Sequence, residues 1–232
     1  MEKQKYAAIV LAAGSGKRMN SKVHKQYLII QDRPVLYYSL KAFEDSAVDE
    51  IVLVVGKGEE EFCRKEIVDK YGISKVKAIV EGGKERYHSV FEGLKQTSDA
   101  DYVLIHDGAR PFVNQDIIRR CMQEVQKYQA CVVGMPVKDT IKIADEEGYA
   151  KQTPDRKNVW MIQTPQTFSY ALICEAYEEM LKTEDAAITD DAMVLERTKG
   201  KKSKLIEGSY RNIKITTPED LLIANVYLQH PE

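Results

Sequence analysis

Leu11-Ala-Ala-Gly-Ser-Gly-Lys-Arg-Met19, with Lys25-Gln26 close behind it, is the stretch on which the reading of this chain turns. It follows an apolar run, Tyr6 to Ala13, that reads as a buried first strand. The chain then breaks on Gly14 and Gly16, which tolerate backbone angles closed to other residues and let backbone N–H groups approach an anion. Lys17, Arg18, Lys22 and Lys25 place four positive charges within nine residues. A strand that ends in a glycine loop with fixed cations suits a polyphosphate; the plain alternative is a solvated basic turn.

Two familiar phosphate loops do not fit. A P-loop needs Ser or Thr after Gly-Lys and a Gly five residues before the second Gly. Here Arg18 follows Lys17, and Leu11 occupies the earlier position. A dinucleotide fingerprint needs a third small residue, and Met19 stands there.

Outward from the loop, strand-like runs recur at Ile51–Val55, Val76–Val80, Tyr102–His106 and Ala130–Val137. Helical stretches fall between them: one from Pro34, then about Glu59–Lys70, Glu85–Gln96 and Gln115–Tyr128. This alternation predicts an α/β fold, a Rossmann-like, mostly parallel sheet with helices on both faces. Ligands of such sheets sit at the carboxyl ends of the strands. Three further groups of residues fall at those ends. Glu81-Gly82-Gly83 is a turn, followed by Arg86 and Ser89 on one face of a starting helix. His106-Asp107-Gly108-Ala109-Arg110 offers a carboxylate placed to hold a ribose or a divalent metal, or simply to pair with Arg110. Lys138-Asp139-Thr140 ends the fifth strand.

From about 137 to 160 the alternation stops, and the chain reads as a β-hairpin arm standing off the sheet. An isolated hairpin is marginal in water, so the arm is expected to pack on a second copy of the chain. A helix follows from about Tyr170 to Lys182, and Thr189-Asp190-Asp191-Ala192 opens another, with acids suited to its positive end. Lys204–Glu207 and Asn212–Thr216 read as short strands, with Lys214 as an inward charge or an edge-strand guard. Thr217-Pro218-Glu219-Asp220 starts the last helix.

Composition narrows the class. A chain of 232 residues with net charge −2 reads as a single domain, 1–232, with no global nucleic-acid footprint. No apolar run approaches the length of a membrane span, and the N-terminus does not read as a signal peptide. Cys63, Cys121, Cys131 and Cys174 show no metal-ligand spacing and read as reduced thiols of a cytoplasmic protein.

The glycine loop resembles the signature of sugar-phosphate nucleotidyltransferases. With Arg86…Ser89-Val90, His106-Asp107…Arg110-Pro111, Asp139-Thr140, Thr164-Pro165-Gln166, Thr189-Asp190-Asp191-Ala192 and Asn212-Ile213-Lys214 in order, the chain resembles the 2-C-methyl-D-erythritol 4-phosphate cytidylyltransferase family. The resemblance runs from Ala8 to about Tyr227. The ribitol-5-phosphate cytidylyltransferases are the nearest rival; the Ala12-Ala13 pair and Thr189–Ala192 favour the methylerythritol family. A nucleotide-binding regulatory domain without turnover is the non-enzymatic alternative.

The resemblance implies CTP and a polyol phosphate as substrates, Mg²⁺ as the divalent cation, and a homodimer formed through the arm. It implies that Ala12, Ala13, Gly14, Ser15 and Gly16 wrap the triphosphate, while Arg18, Lys25 and Lys214 carry the catalysis. Gly82, Arg86, Ser89, Asp107 and Ala109 would hold the nucleoside, with Asp107 near the metal. Arg110, Thr140, Arg156, Thr164 and Lys214 would hold the acceptor, Thr140 and Arg156 being lent by the partner subunit. A phosphate nucleophile is already an oxyanion, so no general base is expected.

Overall fold

The computed structural model describes residues 3–14, 24–182 and 188–230. Its centre is a seven-stranded sheet in the order β11-β7-β10-β6-β1-β4-β5. These strands are β1 (Tyr6–Ala12), β4 (Glu50–Val55), β5 (Val76–Glu81), β6 (Tyr102–Asp107), β7 (Ala130–Pro136), β10 (Trp160–Ser169) and β11 (Lys204–Glu207). Two-residue strands β2 (Ile29–Ile30) and β3 (Arg33–Pro34) pair beside the sheet, and β8 (Ile143–Ala144) pairs with β9 (Ala150–Gln152) in the arm. All pairings in the large sheet are parallel except those of β10, which runs against both β6 and β7.

Every residue of β4 is buried, as a strand covered on both faces requires. The pleat of β1 divides its side chains between two cores. Ala8, Val10 and Ala12 face α1 (Val35–Glu44), the helix beginning with α2 (Glu60–Cys63), and α4 (Gln115–Tyr128). Ala7 and Ile9 face α3 (Arg86–Leu94), α5 (Tyr170–Met180) and α6 (Asp191–Lys199). The last helix, α7 (Pro218–Gln229), covers a third, smaller cluster around Ile30, Val35 and Ile215.

The expected α/β sheet with helices on both faces is therefore present, with five corrections. Pro34 does not start a helix; it lies in β3 and caps α1, which begins at Val35. The stretch expected as one helix from Glu59 is a single α turn that widens into a π-helix at Arg64–Asp69. Asn212–Thr216 is not a strand, although Ile215 N–H still donates to the Ala109 carbonyl at 2.8 Å. The helix from Tyr170 ends at Met180 rather than Lys182. The fifth concerns β10: its mixed sequence, Gln163-Thr-Pro-Gln-Thr-Phe168, hides a strand that is central to the sheet. The buried Gln163 and Gln166 side chains find hydrogen-bond partners at Ser209 and at the start of α6, which sequence periodicity does not reveal.

The arm leaves the sheet between β7 and β10, and Val137 N–H donates to the Val159 carbonyl at 3.0 Å where it departs. Ile143 and Tyr149 on the arm, and Met161 and Ile162 at its foot, are exposed. Among the described residues no helix is long and apolar enough to cross a membrane, and all four cysteines are free thiols, three of them buried.

Candidate active site

A cavity of about 380 Å³ opens at the carboxyl ends of β1, β5 and β6. Its wall carries Ala12, Ala13 and Gly14 from the end of β1, Lys25 and Gln26, the turn before α3 with Arg86 and Ser89, then Asp107, Ala109 and Lys214. Residues separated by up to 200 positions are thus brought to one edge of the sheet. Ser15, Gly16 and Arg18 lie outside the described residues.

The glycines act here through space rather than through unusual backbone angles. Gly14, Gly82 and Gly83 are not among the left-handed positions. Among the described residues a Cβ on Gly14 would meet nothing within 4 Å. A Cβ on Gly82 would lie 2.5 Å from the Ala13 Cβ and 2.6 Å from the Ser89 Oγ, so only glycine lets this turn close on β1. Ser89 Oγ accepts from Gly83 N–H at 3.1 Å and donates to the Glu85 carbonyl at 3.3 Å. Its hydroxyl therefore braces the turn as well as lining the cavity.

Lys25 begins a 3₁₀ turn that is tied on two sides. The buried Gln26 amide donates to the Ala12 carbonyl, and the Tyr27 hydroxyl donates to Glu59 Oε2 at 2.7 Å. Glu59 also accepts from Gly56 N–H at 3.0 Å and contacts His24 Nδ1 at 2.7 Å. The basic segment is thereby fastened to the ends of both β1 and β4. None of these anchors was expected from sequence, because each joins residues whose roles appear only in three dimensions.

Asp107 sits among three cations. Lys214 Nζ is 2.7 Å from Oδ2, Arg86 Nε donates to Oδ1 at 3.4 Å, and Arg110 Nε lies 3.9 Å away. Burial alone would push its carboxyl up, but Arg86, then Lys214 and Arg110, hold it well below the usual carboxylate range. The site therefore presents an ionised carboxylate beside one lysine and two arginines. The expected Asp107–Arg110 pair is the loosest of the three contacts. Arg110 instead donates to the Asn212 carbonyl at 2.8 Å and so fastens the segment that carries Lys214.

Thr164 lies behind this cluster and does not line the cavity. Its Oγ1 accepts from Asp107 N–H at 3.0 Å, which leaves its proton for His106 Nδ1 at 3.0 Å. His106 Nδ1 is then an acceptor, and its Nε2–H donates to the Arg110 carbonyl at 3.2 Å. The imidazole is fully buried, and burial pushes its pKa down to about 4. It is neutral, saturated and unavailable as a base.

A folded-state pKa below the unfolded value means that the unfolded chain binds the extra proton first. His106 should therefore cost stability as pH falls from about 6.5 toward 4, up to about 3 kcal/mol, since each pKa unit is worth about 1.4 kcal/mol. Urea denaturation at pH 7, 5.5 and 4.5 should show this fall, and His106→Asn should flatten the part due to the imidazole. An equally steep decline in the variant would assign the loss to other groups.

Thr140 and Arg156 are exposed on the arm and do not line the cavity of their own chain. Arg156 Nη1 donates to the Lys138 carbonyl at 2.8 Å. The buried hydrogen bonds of Gln163, Gln166, Tyr177, Asp191 and Asn212 were not read from the sequence. Gln166 accepts from Asp191 N–H and Ala192 N–H, both at 3.0 Å. The Tyr177 hydroxyl donates to Asp191 Oδ1. Asn212 donates to the Thr164 carbonyl at 2.9 Å and to Gln163 at 3.2 Å. Gln166, Asp191 and Asn212 lie in the runs Thr164–Gln166, Thr189–Ala192 and Asn212–Lys214 quoted above, whereas no motif marked Tyr177.

The chain was compared with known proteins on this basis. Residues 6–230 match the family model for 2-C-methyl-D-erythritol 4-phosphate cytidylyltransferase. A protein of that name from Lachnoclostridium phytofermentans is 51% identical over 226 residues, 97% of each chain. Another from Lachnospira eligens is 54% identical over 224 residues, 96% of this chain and 98% of the relative. The crystal structure of 4-diphosphocytidyl-2C-methyl-D-erythritol synthase from Anaerococcus prevotii superimposes with a TM-score of 0.85 at 38% identity, covering 98% of this chain and 97% of that one. A match of this extent, over a chain whose Gly14, Asp107 and Lys214 meet at one cavity, places the protein in the 2-C-methyl-D-erythritol 4-phosphate cytidylyltransferase family.

Proposed function

We propose that this chain transfers the cytidylyl group of CTP to 2-C-methyl-D-erythritol 4-phosphate. The products are 4-diphosphocytidyl-2-C-methyl-D-erythritol and pyrophosphate, in the non-mevalonate route to isoprenoids. A phosphate oxygen of the acceptor forms a bond to the α-phosphorus, and the bond from that phosphorus to the α–β bridging oxygen breaks. The observation that carries this reading is the cavity's chemistry: a glycine-lined wall, lysines at 25 and 214, and no histidine among its described lining residues. That set suits joining two anions, where repulsion must be offset and no proton need be removed from the nucleophile.

Gly14 and its neighbours receive the triphosphate. Lys25 and Lys214, with Arg18 from the same loop, neutralise charge that builds on the oxygens around the α-phosphorus. The turn braced by Ser89 holds the base, and Asp107 and Ala109 lie beside the sugar. The donor set also fits magnesium, which takes one or two carboxylates and draws its remaining ligands from phosphate and water. Asp107 lines the cavity and stays ionised, so it would be the protein's contribution, and the ion would supply further charge neutralisation. Thr164 and Arg110 serve the acceptor side by fixing Asp107 and the Lys214 segment.

The whole chain works as one nucleotidyltransferase domain, and the arm at about 137–160 pairs it with a second copy in a cytoplasmic homodimer. Exposed Ile143 and Tyr149 support that assembly, as does the distance of Arg156 from its own cavity wall.

Pyrophosphate release with CTP, UTP and ATP tests the nucleotide assignment. A site built to hydrogen-bond one base rejects others by a factor on the order of 10² or more in kcat/KM. CTP should lead by that margin; equal turnover of all three would sink the cytosine reading.

A further inference from the structure

Arg86 is the first residue of α3, where the helix already presents the positive end of its dipole. A cation is disfavoured there, and a part-buried one more so. Its charge is kept because burial is outweighed by Asp191 and then Asp107. Both terminal nitrogens donate to Asp191, Nη1 to Oδ1 and Nη2 to Oδ2, each at 2.8 Å, while only Nε reaches Asp107. Asp191 is fully buried and does not line the cavity; Arg86 does. Asp191 is held in turn from three sides, by the Tyr177 hydroxyl, by its own N–H to Gln166, and by its place in the first turn of α6.

Buried ion pairs of this kind seldom add stability over apolar residues of the same size. The geometry points to another use. We infer that Asp191 is a positioning residue that clamps Arg86 by both terminal nitrogens, so that the guanidinium cannot turn onto Asp107 or onto the phosphates of a bound nucleotide. Asp107 then remains open to Lys214 at 2.7 Å and to substrate. Without the clamp, the two Nη groups take a bidentate grip on Asp107, the favoured geometry for arginine and carboxylate, and displace Lys214 from it. The inference rests on the cytidylyltransferase reading for its kinetic consequence, though not for its structural one.

Two measurements test it. In wild-type protein the Arg86 Nη protons should give resolved nuclear magnetic resonance signals, identified by their loss in Arg86→Gln, because the clamp stops rotation about the Cζ–Nη bonds. Asp191→Asn should move them to new shifts, as the grip passes from Asp191 to Asp107. Signals averaged in the wild type, or left at their wild-type shifts in Asp191→Asn, would overturn the clamp whatever the enzyme's activity. In the kinetic arm, Asp191→Asn should lower kcat at least about tenfold with KM for CTP moved less than about threefold. In an Arg86→Gln background it should add less than about twofold, because residues acting through one another are not additive. An equal loss in both backgrounds, or a fall in melting temperature with kcat unchanged, would reduce Asp191 to a structural part. Should Asp191→Asn fail to fold, Tyr177→Phe removes only the hydroxyl that steadies Asp191 and keeps both charges; its loss of kcat, about threefold, should likewise vanish in the Arg86→Gln background. If wild type releases no pyrophosphate, the assigned activity falls, and the resonance result alone decides the clamp.

Discussion

Lys25→Ala and Lys214→Ala should each lower kcat by about 10²–10³-fold, equivalent to ~3–4 kcal/mol, while moving KM for CTP far less. The expectation comes from how firmly the segments that carry both lysines are placed before any ligand arrives. The Lys25 turn is tied to β1 through Gln26 and to β4 through Tyr27 and Glu59. Lys214 is ion-paired to Asp107, and its segment is fastened by Arg110 and by the Ile215–Ala109 backbone bond. Such groups need no reorganisation when charge develops, and that is what makes them worth more in the transition state than in the ground state. Arg18→Ala should behave alike. Initial rates at saturating and limiting CTP separate the two contributions. A variant with raised KM and unchanged kcat would show a residue that only binds.

The second large effect is a recovery. Arg156→Ala alone and Lys214→Ala alone should both be nearly inactive, the first through weakened acceptor binding with CTP binding little changed. Arg156 suits a phosphate because a guanidinium grips it with two parallel hydrogen bonds, which an ammonium cannot do. If each site takes Lys214 from one chain and Arg156 from the other, a mixed dimer holds one site with both defects and one with neither. Mixing should restore up to about half of the wild-type activity per mixed dimer, as two-fold symmetry dictates. A mixture that stays inactive after subunit exchange is demonstrated would place Arg156 in its own chain's site or outside the reaction.

The fold was legible where the local pattern is plain. β1 falls where its apolar run places it and α4 where its amphipathic period does, because these faces answer to the core; β11 falls on its expected bounds although only Ile206 in it is buried. The wall of the site was legible where chemistry forces a residue type, as at Gly14, Lys25 and Asp107. What stayed hidden depends on partners remote in sequence. β10 reads as a polar linker until Ser209, Asn212 and the start of α6 are seen to pair with Gln163, the Thr164 carbonyl and Gln166. Lys214 reads as part of a strand because Ile213 and Ile215 flank it, yet only one backbone bond of that kind forms, and the segment is fixed by Arg110 instead. Asp191 reads as a helix-capping acid; the cap is Asp190, which accepts from Met193 N–H at 2.9 Å and leaves Asp191 for Arg86. The glycines at 82 and 83 read as a tight turn; that they serve it as spacers, without left-handed torsions, is a distinction that only the neighbouring atoms can make.

The arm leaves and rejoins the body at one hydrogen-bonded pair of backbone groups, Val137 and Val159. Its two ends are therefore neighbours, and the segment between them makes up none of the cavity wall. In engineering terms it is a cassette. A foreign hairpin could be grafted between those two positions, or the native one trimmed to a short turn, without disturbing the register of β7 and β10 on which the nucleotide half depends. Evolution has the same freedom: the acceptor and the mate of such an enzyme can drift together by change in one exchangeable module, while the machinery that grips the triphosphate stays as it is.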